Sequence, residues 1–305
     1  MKRSVLVFIL AAASLQAFAQ GTAMDFIRAD RNPATIAAAG AGYASLNMGT
    51  AFAAFGNPAA VSLADHTFDA EGSFALAPFG SGNSMNYGGG ASFRIGKFGV
   101  SAAYIGSSYP EVPMYSDGGG ASGRFAPSDM TVGLGLSMAF GEHVSVGALA
   151  RYASAPLDGK TTLSSVSADV MAMCRFGALS VSAGAAGLGP KVASISNKSY
   201  PLPASARLGA AYRLEISDFS FDFAADGDYY FSGNISAAAG VQAGFRDMVF
   251  LRTGYRYSGM GEDFSAAPVP SNFSVGAGFK LFGVSLDLAY VVTTNAIVAG
   301  LGYSF

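Results

Sequence analysis

From about residue 66 to residue 305 the chain repeats one pattern: roughly 8 to 13 residues alternate between apolar and small or polar, then a turn rich in Gly, Ser, Asn, Asp or Pro follows. Alternation with period two marks a strand whose two faces meet different surroundings, and the spacing predicts about fourteen strands. One strand sets Phe219, Phe221 and Phe223 against Ser220, Asp222 and Ala224; another sets Val284, Leu286, Leu288 and Tyr290 against Ser285, Asp287 and Ala289. A third sets Ala206, Leu208, Ala210, Tyr212 and Leu214 against Arg207, Gly209, Ala211, Arg213 and Glu215. The last strand runs Ile297, Ala299, Leu301, Tyr303 and Phe305, with Val298, Gly300, Gly302 and Ser304 on its other face. A strand that stops on its own terminal aromatic has few uses in a soluble protein. It suits the closing strand of a bacterial outer-membrane barrel, with Tyr303 and Phe305 as the C-terminal signal for the barrel assembly machinery.

A soluble β-sandwich alternates too, so the direction of the apolar face rests on a second feature. One set is dominated by Gly, Ala and Ser with occasional charges, while the other carries Leu, Val, Phe and Tyr. Large apolar residues facing lipid and small ones facing a lumen give an all-β fold, a transmembrane antiparallel barrel. Tyr104, Tyr152, Tyr212, Tyr229, Tyr230, Tyr257 and Tyr290 recur near strand ends, where aromatic girdles meet lipid headgroups. Gly96-Lys97, Gly141-Glu142 and Phe282-Gly283 read as periplasmic turns, and the stretches 107–129, 188–203 and 258–271 as extracellular loops.

Residues 20–65 break the pattern. They are rich in Ala and Gly, punctuated by Asn32-Pro33-Ala34 and Asn57-Pro58-Ala59, and predict short small-residue helices or coil. Such a segment can fold into the lumen of the barrel, 66–305, as an N-terminal hatch; an extra strand pair with a loose terminus is the alternative. At the other extreme of the chain Lys2 and Arg3 precede an apolar run from Val5 to Ala13, and Ala17-Phe18-Ala19 has the small-x-small form of a cleavage site. Residues 1–19 are expected to be a secretory signal peptide cut before Gln20. No later stretch reaches the roughly 20 apolar residues of a spanning helix.

Composition agrees with a lipid-facing wall, since 51% of residues are hydrophobic, only 12% are charged and 40 are glycine. A soluble chain of this size would be short of solubilising charge. The net charge of -2 moves to -4 once Lys2 and Arg3 are removed, and nothing suggests a nucleic-acid partner. The single cysteine, Cys174, excludes an intramolecular disulfide and falls in phase with Val170 and Ala172 on the outward face.

Enzymatic constellations are missing. His66 and His143 stand at strand starts with no Cys or paired carboxylate at metal-ligand spacing, and the serines lack a nucleophile motif. Gly40-Ala41-Gly42 and Gly187-Leu188-Gly189 lack the third glycine of a dinucleotide site. No catalytic residue, metal or cofactor is therefore expected. The chemistry-bearing positions are the inward charges Arg207, Arg213, Arg252, Arg256, Glu215, Asp222, Asp226 and Asp287, which are costly inside a narrow barrel unless paired or wet. They read first as a network knitting wall to wall or wall to hatch. If the lumen holds an acidic ligand, Arg207, Arg252 and Arg256 are the residues to bind it, because a guanidinium fork suits a carboxylate.

Four stretches carry a family resemblance: 40–63 with Gly56-Asn57-Pro58-Ala59-Ala60; Tyr200-Pro201-Leu202-Pro203 running into Arg207-Leu208-Gly209-Ala210; Phe250-Leu251-Arg252-Thr253-Gly254-Tyr255-Arg256-Tyr257; and Ser274-Val275-Gly276-Ala277-Gly278-Phe279. In these the chain resembles the PorV/PorQ outer-membrane proteins, which are related to the FadL long-chain fatty-acid transporters. The resemblance implies a FadL-like barrel of fourteen strands with an N-terminal lumenal hatch, resident in the outer membrane. It further implies a non-enzymatic part in type IX secretion or another surface assembly, docking envelope or secretion proteins. The FadL relation implies the alternative, passage of a hydrophobic small molecule such as a fatty acid.

Overall fold

The computed structural model describes residues 21–80, 82–115, 121–156, 161–193, 198–258 and 272–305. The expected signal peptide, the middle of the loop at 107–129, part of that at 188–203 and most of that at 258–271 lie outside the described residues.

Eighteen strands are described: β1 (Phe68–Phe79), β2 (Gly82–Ile95), β3 (Phe98–Ser108), β4 (Val112–Tyr115), β5 (Ala121–Phe125), β6 (Ser128–Phe140), β7 (Val144–Pro156), β8 (Thr162–Phe176), β9 (Leu179–Leu188), β10 (Val192–Ala193), β11 (Ser199–Tyr200), β12 (Ser205–Ile216), β13 (Phe219–Tyr230), β14 (Ile235–Phe245), β15 (Val249–Ser258), β16 (Asn272–Leu281), β17 (Val284–Val291) and β18 (Ala296–Ser304). Fourteen of them close into one antiparallel barrel, sealed where β1 pairs with β18 from Asp69↔Ser304 to Leu76↔Ile297. The pairs β4–β5 and β10–β11 are small hairpins inside the long connections. Phe305 completes the seam: its carbonyl accepts from the amides of Thr67 and Phe68, and its ring lies 5.4 Å from that of Phe68.

The alternation read from the sequence maps onto the two faces of this wall. Leu134, Leu136, Leu208 and Leu251 each stand more than 60% exposed on the outside. Each fully exposed Leu forgoes about 1.5–3 kcal/mol of burial in water, so such a wall is stable only against lipid. Among the described residues no helix is long and apolar enough to cross a membrane, and the crossing elements are strands. Tyr230 departs from the girdle expectation. It is the last residue of β13, points inward, and stacks under Arg28, 4.6 Å from ring centroid to guanidinium.

The turns at 96–97, 141–143, 177–178, 217–218, 246–248 and 282–283 gather at one end, and the longer connections at the other. Phe282 and Gly283 take φ of 51° and 82°, the double left-handed geometry of a two-residue hairpin turn, with the Phe282 side chain 91% exposed.

Residues 21–65 contain no described strand, which removes the extra strand pair. They form a 3-10 turn at Asp25–Arg28, a helix at Pro33–Ala37 and a second 3-10 turn at Pro58–Leu63; the helix and the second turn pack against inward faces of the wall, and Ile27 of the first turn packs with Ala153, Val192 and Leu202. Small side chains make this fit possible. Ala51, Phe52 and Ala54 pack with Ala103, Ile105 and Leu149, while Ala59, Ala60 and Leu63 pack with Met171 and Met173. The wall yields through its glycines: a Cβ at Gly90 would strike the carbonyl of Ala51, one at Gly147 the backbone of Pro58 and Ala59, and one at Gly240 or Gly254 the backbone of Ala38.

Candidate functional site

The two Asn-Pro-Ala triplets do the same work twice. Asn32 and Asn57 each cap a short helical turn that has proline in its first turn, with Oδ1 accepting from Ala34 N (2.9 Å) and Ala59 N (3.0 Å) respectively. Each amide then reaches across the segment with its Nδ2, Asn32 to the carbonyl of Met48 (2.9 Å) and Asn57 to that of Tyr43 (2.6 Å). The helix Pro33–Ala37 ends in a Schellman motif, with Gly40 N bonded to Thr35 O and Ala39 N to Ile36 O, and Ala39 takes the left-handed φ of 57°.

Wall side chains fasten the rest of this segment through its backbone. Asp226 Oδ2 accepts from the amides of Gly42 (2.6 Å) and Tyr43 (3.0 Å), and Asp69 Oδ2 from those of Thr50 and Ala51. Arg256 donates to the carbonyls of Ala39 (2.8 Å) and Gly40 (2.9 Å), and Arg207 to those of Phe55 (3.4 Å) and Gly56 (3.3 Å). Asn47 donates to Asp222, and Asp65 is gripped through both carboxylate oxygens by Arg175. Charge-assisted bonds to main-chain groups are the stronger kind, and most of these are away from water.

The three arginines expected to face a ligand do not converge. Arg207 and Arg256 share Asp228, with Arg207 Nε 3.2 Å from Oδ1 and Arg256 Nη1 3.9 Å from Oδ2. Arg252 sits apart, between Gln242 and Asp287. All three are engaged by wall or lumenal groups, as the network reading expects. Asp69, Asp228 and the buried pair Arg151–Asp169 (2.8 Å) were not singled out in the sequence. Inward phase on their strands was the signal that could have found them.

Two cavities flank the lumenal segment. The one toward the long connections has a volume of about 700 Å³, with Ile36, Ala39, Phe52, Ala53 and Phe55 beside Tyr43, Arg28, Arg31, Arg207 and Arg256. The other, about 740 Å³, opens at the short-turn end and is charged, lined by Asp65, His66, Glu71, Arg175, Arg213 and Asp287 among others. Arg252 belongs to the second and Arg207 and Arg256 to the first. Burial raises the Tyr43 phenol far above its ordinary value, with Asp228 and Asp226 adding to the effect against Arg207 and Arg256, so it remains a donor to Asp228. The Arg31 guanidinium is lowered by burial, offset in part by Asp129 and Asp30; Asn86, Ser107 and its neighbour's carbonyl hold it. The hydrogen bond from Arg175 lowers Asp65, and burial lowers His66 against the opposing pull of Asp69. Among the described residues no cluster of His, Cys, Asp and Glu could hold a metal ion.

No protein-family model matches the chain, and no curated protein matches it. Solved structures do. The CymD monoaromatic hydrocarbon channel aligns over 90% of this chain and 97% of its own at TM-score 0.63 and 13% identity. The Pseudomonas putida toluene transporter TodX aligns over 90% and 98% at TM-score 0.63 and 12% identity. A Pseudomonas aeruginosa FadL homologue aligns over 90% and 95% at TM-score 0.57 and 12% identity. At these identities the likeness establishes a FadL-like barrel fold and leaves function to the site.

Proposed function

We propose that this protein takes up small hydrophobic molecules across the bacterial outer membrane. The observation that carries the reading is the cavity of about 700 Å³ at the long-connection end, where Ile36, Phe52, Ala53 and Phe55 give an apolar surface among polar and charged side chains that include Asp25, Asp30, Arg31 and Arg207, all floored by the lumenal segment. Ligand pockets have this size, and they combine apolar surface with polar groups that orient the ligand. The structural neighbours, two of them described as hydrocarbon channels or transporters, favour transport over the docking and secretion role that the PorV/PorQ resemblance implied. In this reading residues 1–19 are a cleaved export signal, 20–65 a hatch and 66–305 the membrane barrel. The short turns face the periplasm, the barrel assembly machinery inserts the chain through Tyr303 and Phe305, and no bond of the cargo is made or broken.

The test is uptake of toluene and of oleate by cells that lack their own hydrophobe channels and express this protein. Uptake of either above the empty-vector level, and its loss in an Ile36→Trp variant that fills the cavity, is the expected result. Equal uptake with and without the protein would overturn the reading; a stoichiometric envelope protein recovered with the barrel from native membranes would revive the docking role.

A further inference from the structure

Among the described residues, the buried carboxylates of the barrel wall meet donors, with one exception. Asp69 and Asp226 each take two amides of the lumenal segment, Asp222 takes Asn47 and Gln242, and Asp287 takes Arg252. Asp129, Asp169 and Asp228 are likewise bonded. Glu71, facing inward on β1, has no hydrogen bond or ion pair, and its Oε1 is cut off from water. The register explains why the wall supplies no donor. Its cross-strand neighbours are Gly302 on β18 and Gly90 on β2, and neither carries a side chain. A Cβ at Gly300 would stand 2.6 Å from Oε1 and 2.5 Å from the Pro33 ring, so glycine at that position leaves the room the carboxylate fills.

The charged groups acting on Glu71 are Asp69 on the same strand, Asp287 on β17, Asp30 on the lumenal segment and a single cation, Arg252 on β15. Arg252 is already bonded to Gln242 and Asp287. The cavity that Glu71 lines, about 740 Å³ and open at the short-turn end, repeats this imbalance, with seven carboxylates against three arginines and one lysine. A carboxylate away from water and without a counter-charge is costly, so the place favours a positive occupant. A divalent metal ion does not suit it, because such an ion needs about six oxygens converging on one point, and no cluster among the described residues supplies them. An alkylammonium group needs one carboxylate to accept its N–H donors and an apolar surface for its stem, and Leu46, Met48 and Phe250 line the same cavity.

We propose that Glu71 binds the ammonium end of a small linear amine that enters from the short-turn end, the carboxylate accepting its N–H donors while the methylene stem lies on the apolar side of the cavity. A second ammonium group meets the remaining negative charge of Asp69 and Asp287, which makes diamines and polyamines the better fit. The site is separate from the upper cavity and goes beyond the uptake reading, whose test compounds, toluene and oleate, carry no ammonium group.

The experiment is isothermal titration of the purified full-length protein, in zwitterionic detergent and weakly alkaline buffer, with cadaverine, a linear diamine; heat-modifiable migration on gels confirms a folded barrel. Glu71→Gln keeps the shape and removes the charge, and is expected to raise the dissociation constant at least about tenfold through loss of a charge-assisted bond. Glu142→Gln, at an exposed turn acid outside the cavity, is expected to change it by less than about twofold. Magnesium chloride at matched concentration is expected to bind more weakly and without dependence on Glu71. Wild-type protein that takes up no cadaverine, a folded Glu71→Gln barrel that binds it as wild type does, or magnesium binding that is lost equally in Glu71→Gln overturns the site. If Glu71→Gln fails to fold, carbodiimide coupling of cadaverine to the wild-type protein decides. Peptide mass spectrometry should then find the new amide at Glu71 ahead of Glu142, and coupling at exposed carboxylates alone overturns the proposal. Failure of toluene or oleate uptake leaves this result standing.

Discussion

Gly254 offers the sharpest test of how the lumenal segment is seated. It lies on β15 facing inward, and a Cβ there would run into the carbonyl of Ala38 and, at 2.8 Å, the amide nitrogen of Ala39. Both are main-chain atoms fixed by the Schellman turn, so no rotamer change relieves the clash. Gly227, on the neighbouring region of the wall, faces outward, and its nearest neighbour to an added Cβ is the Ser236 carbonyl at 4.0 Å, an ordinary contact. Overpacking by a single methyl against an unyielding partner costs about 1–3 kcal/mol, which corresponds to about a 5- to 150-fold change in a local equilibrium. The same substitution at Gly227 adds a methyl to the lipid-facing side at no steric cost. Hydrogen exchange of the 33–42 region, followed by mass spectrometry in detergent, therefore should quicken by about one to two orders of magnitude in Gly254→Ala and stay within about threefold of wild type in Gly227→Ala. Equal protection in the two variants would show that the segment does not rest on the wall where the glycines place it.

Arg252→Ala strips the buried partner from Asp287 and the donor from Gln242 Oε1, so barrel stability is expected to fall by about 3–5 kcal/mol in urea titration. Binding in the upper cavity is expected to persist, since Arg252 lines the other one; lost binding with intact stability would restore its ligand role. Ala39→Gly relieves a left-handed alanine at the helix end and should stabilise the Pro33–Ala37 turn by about 1 kcal/mol, read as slower exchange at Gly40 N. Acid should loosen the junction where Thr50 meets His66 and Asp69. His66, near Asp65, Asp69, Arg94 and Lys280, is held below its ordinary 6.5 by burial, so the stability it contributes is present above that pH and lost as pH falls through its folded value. Asp65, held below its ordinary 3.8 by Arg175, contributes in the same sense at lower pH. Protection factors at Thr50 and Ala51, corrected for intrinsic exchange, should drop between about pH 8 and about pH 5, and a flat profile would remove His66 from the junction. Deleting Phe305 should slow membrane insertion and open the β1–β18 seam, measured as lost heat-modifiable migration; normal assembly would argue that the carbonyl bonds to Thr67 and Phe68 are dispensable.

The barrel was legible in the residues because a strand's two faces repeat every second position whatever the rest of the chain does. Val284 to Tyr290 and Phe219 to Phe223 point outward as their phase requires, and the inward Arg207, Arg252 and Asp222 followed from the same phase. The plain Asn-Pro-Ala triplets marked the turns at Pro33–Ala37 and Pro58–Leu63, since the cap and the proline act within four residues of each other. Tyr230 was misplaced because it ends its strand, where phase alone does not say whether a ring lies at the headgroups or under a cation such as Arg28. What only the tertiary structure decided was pairing across distance. That Arg207 and Arg256 meet at Asp228 while Arg252 serves a separate cavity depends on which strands are neighbours and how high each residue sits in the barrel, and neither is encoded in any local period. The placing of Ala38 against Gly254, 216 positions further on, was equally beyond a local reading, because a glycine in a strand announces room for something without naming what fills it.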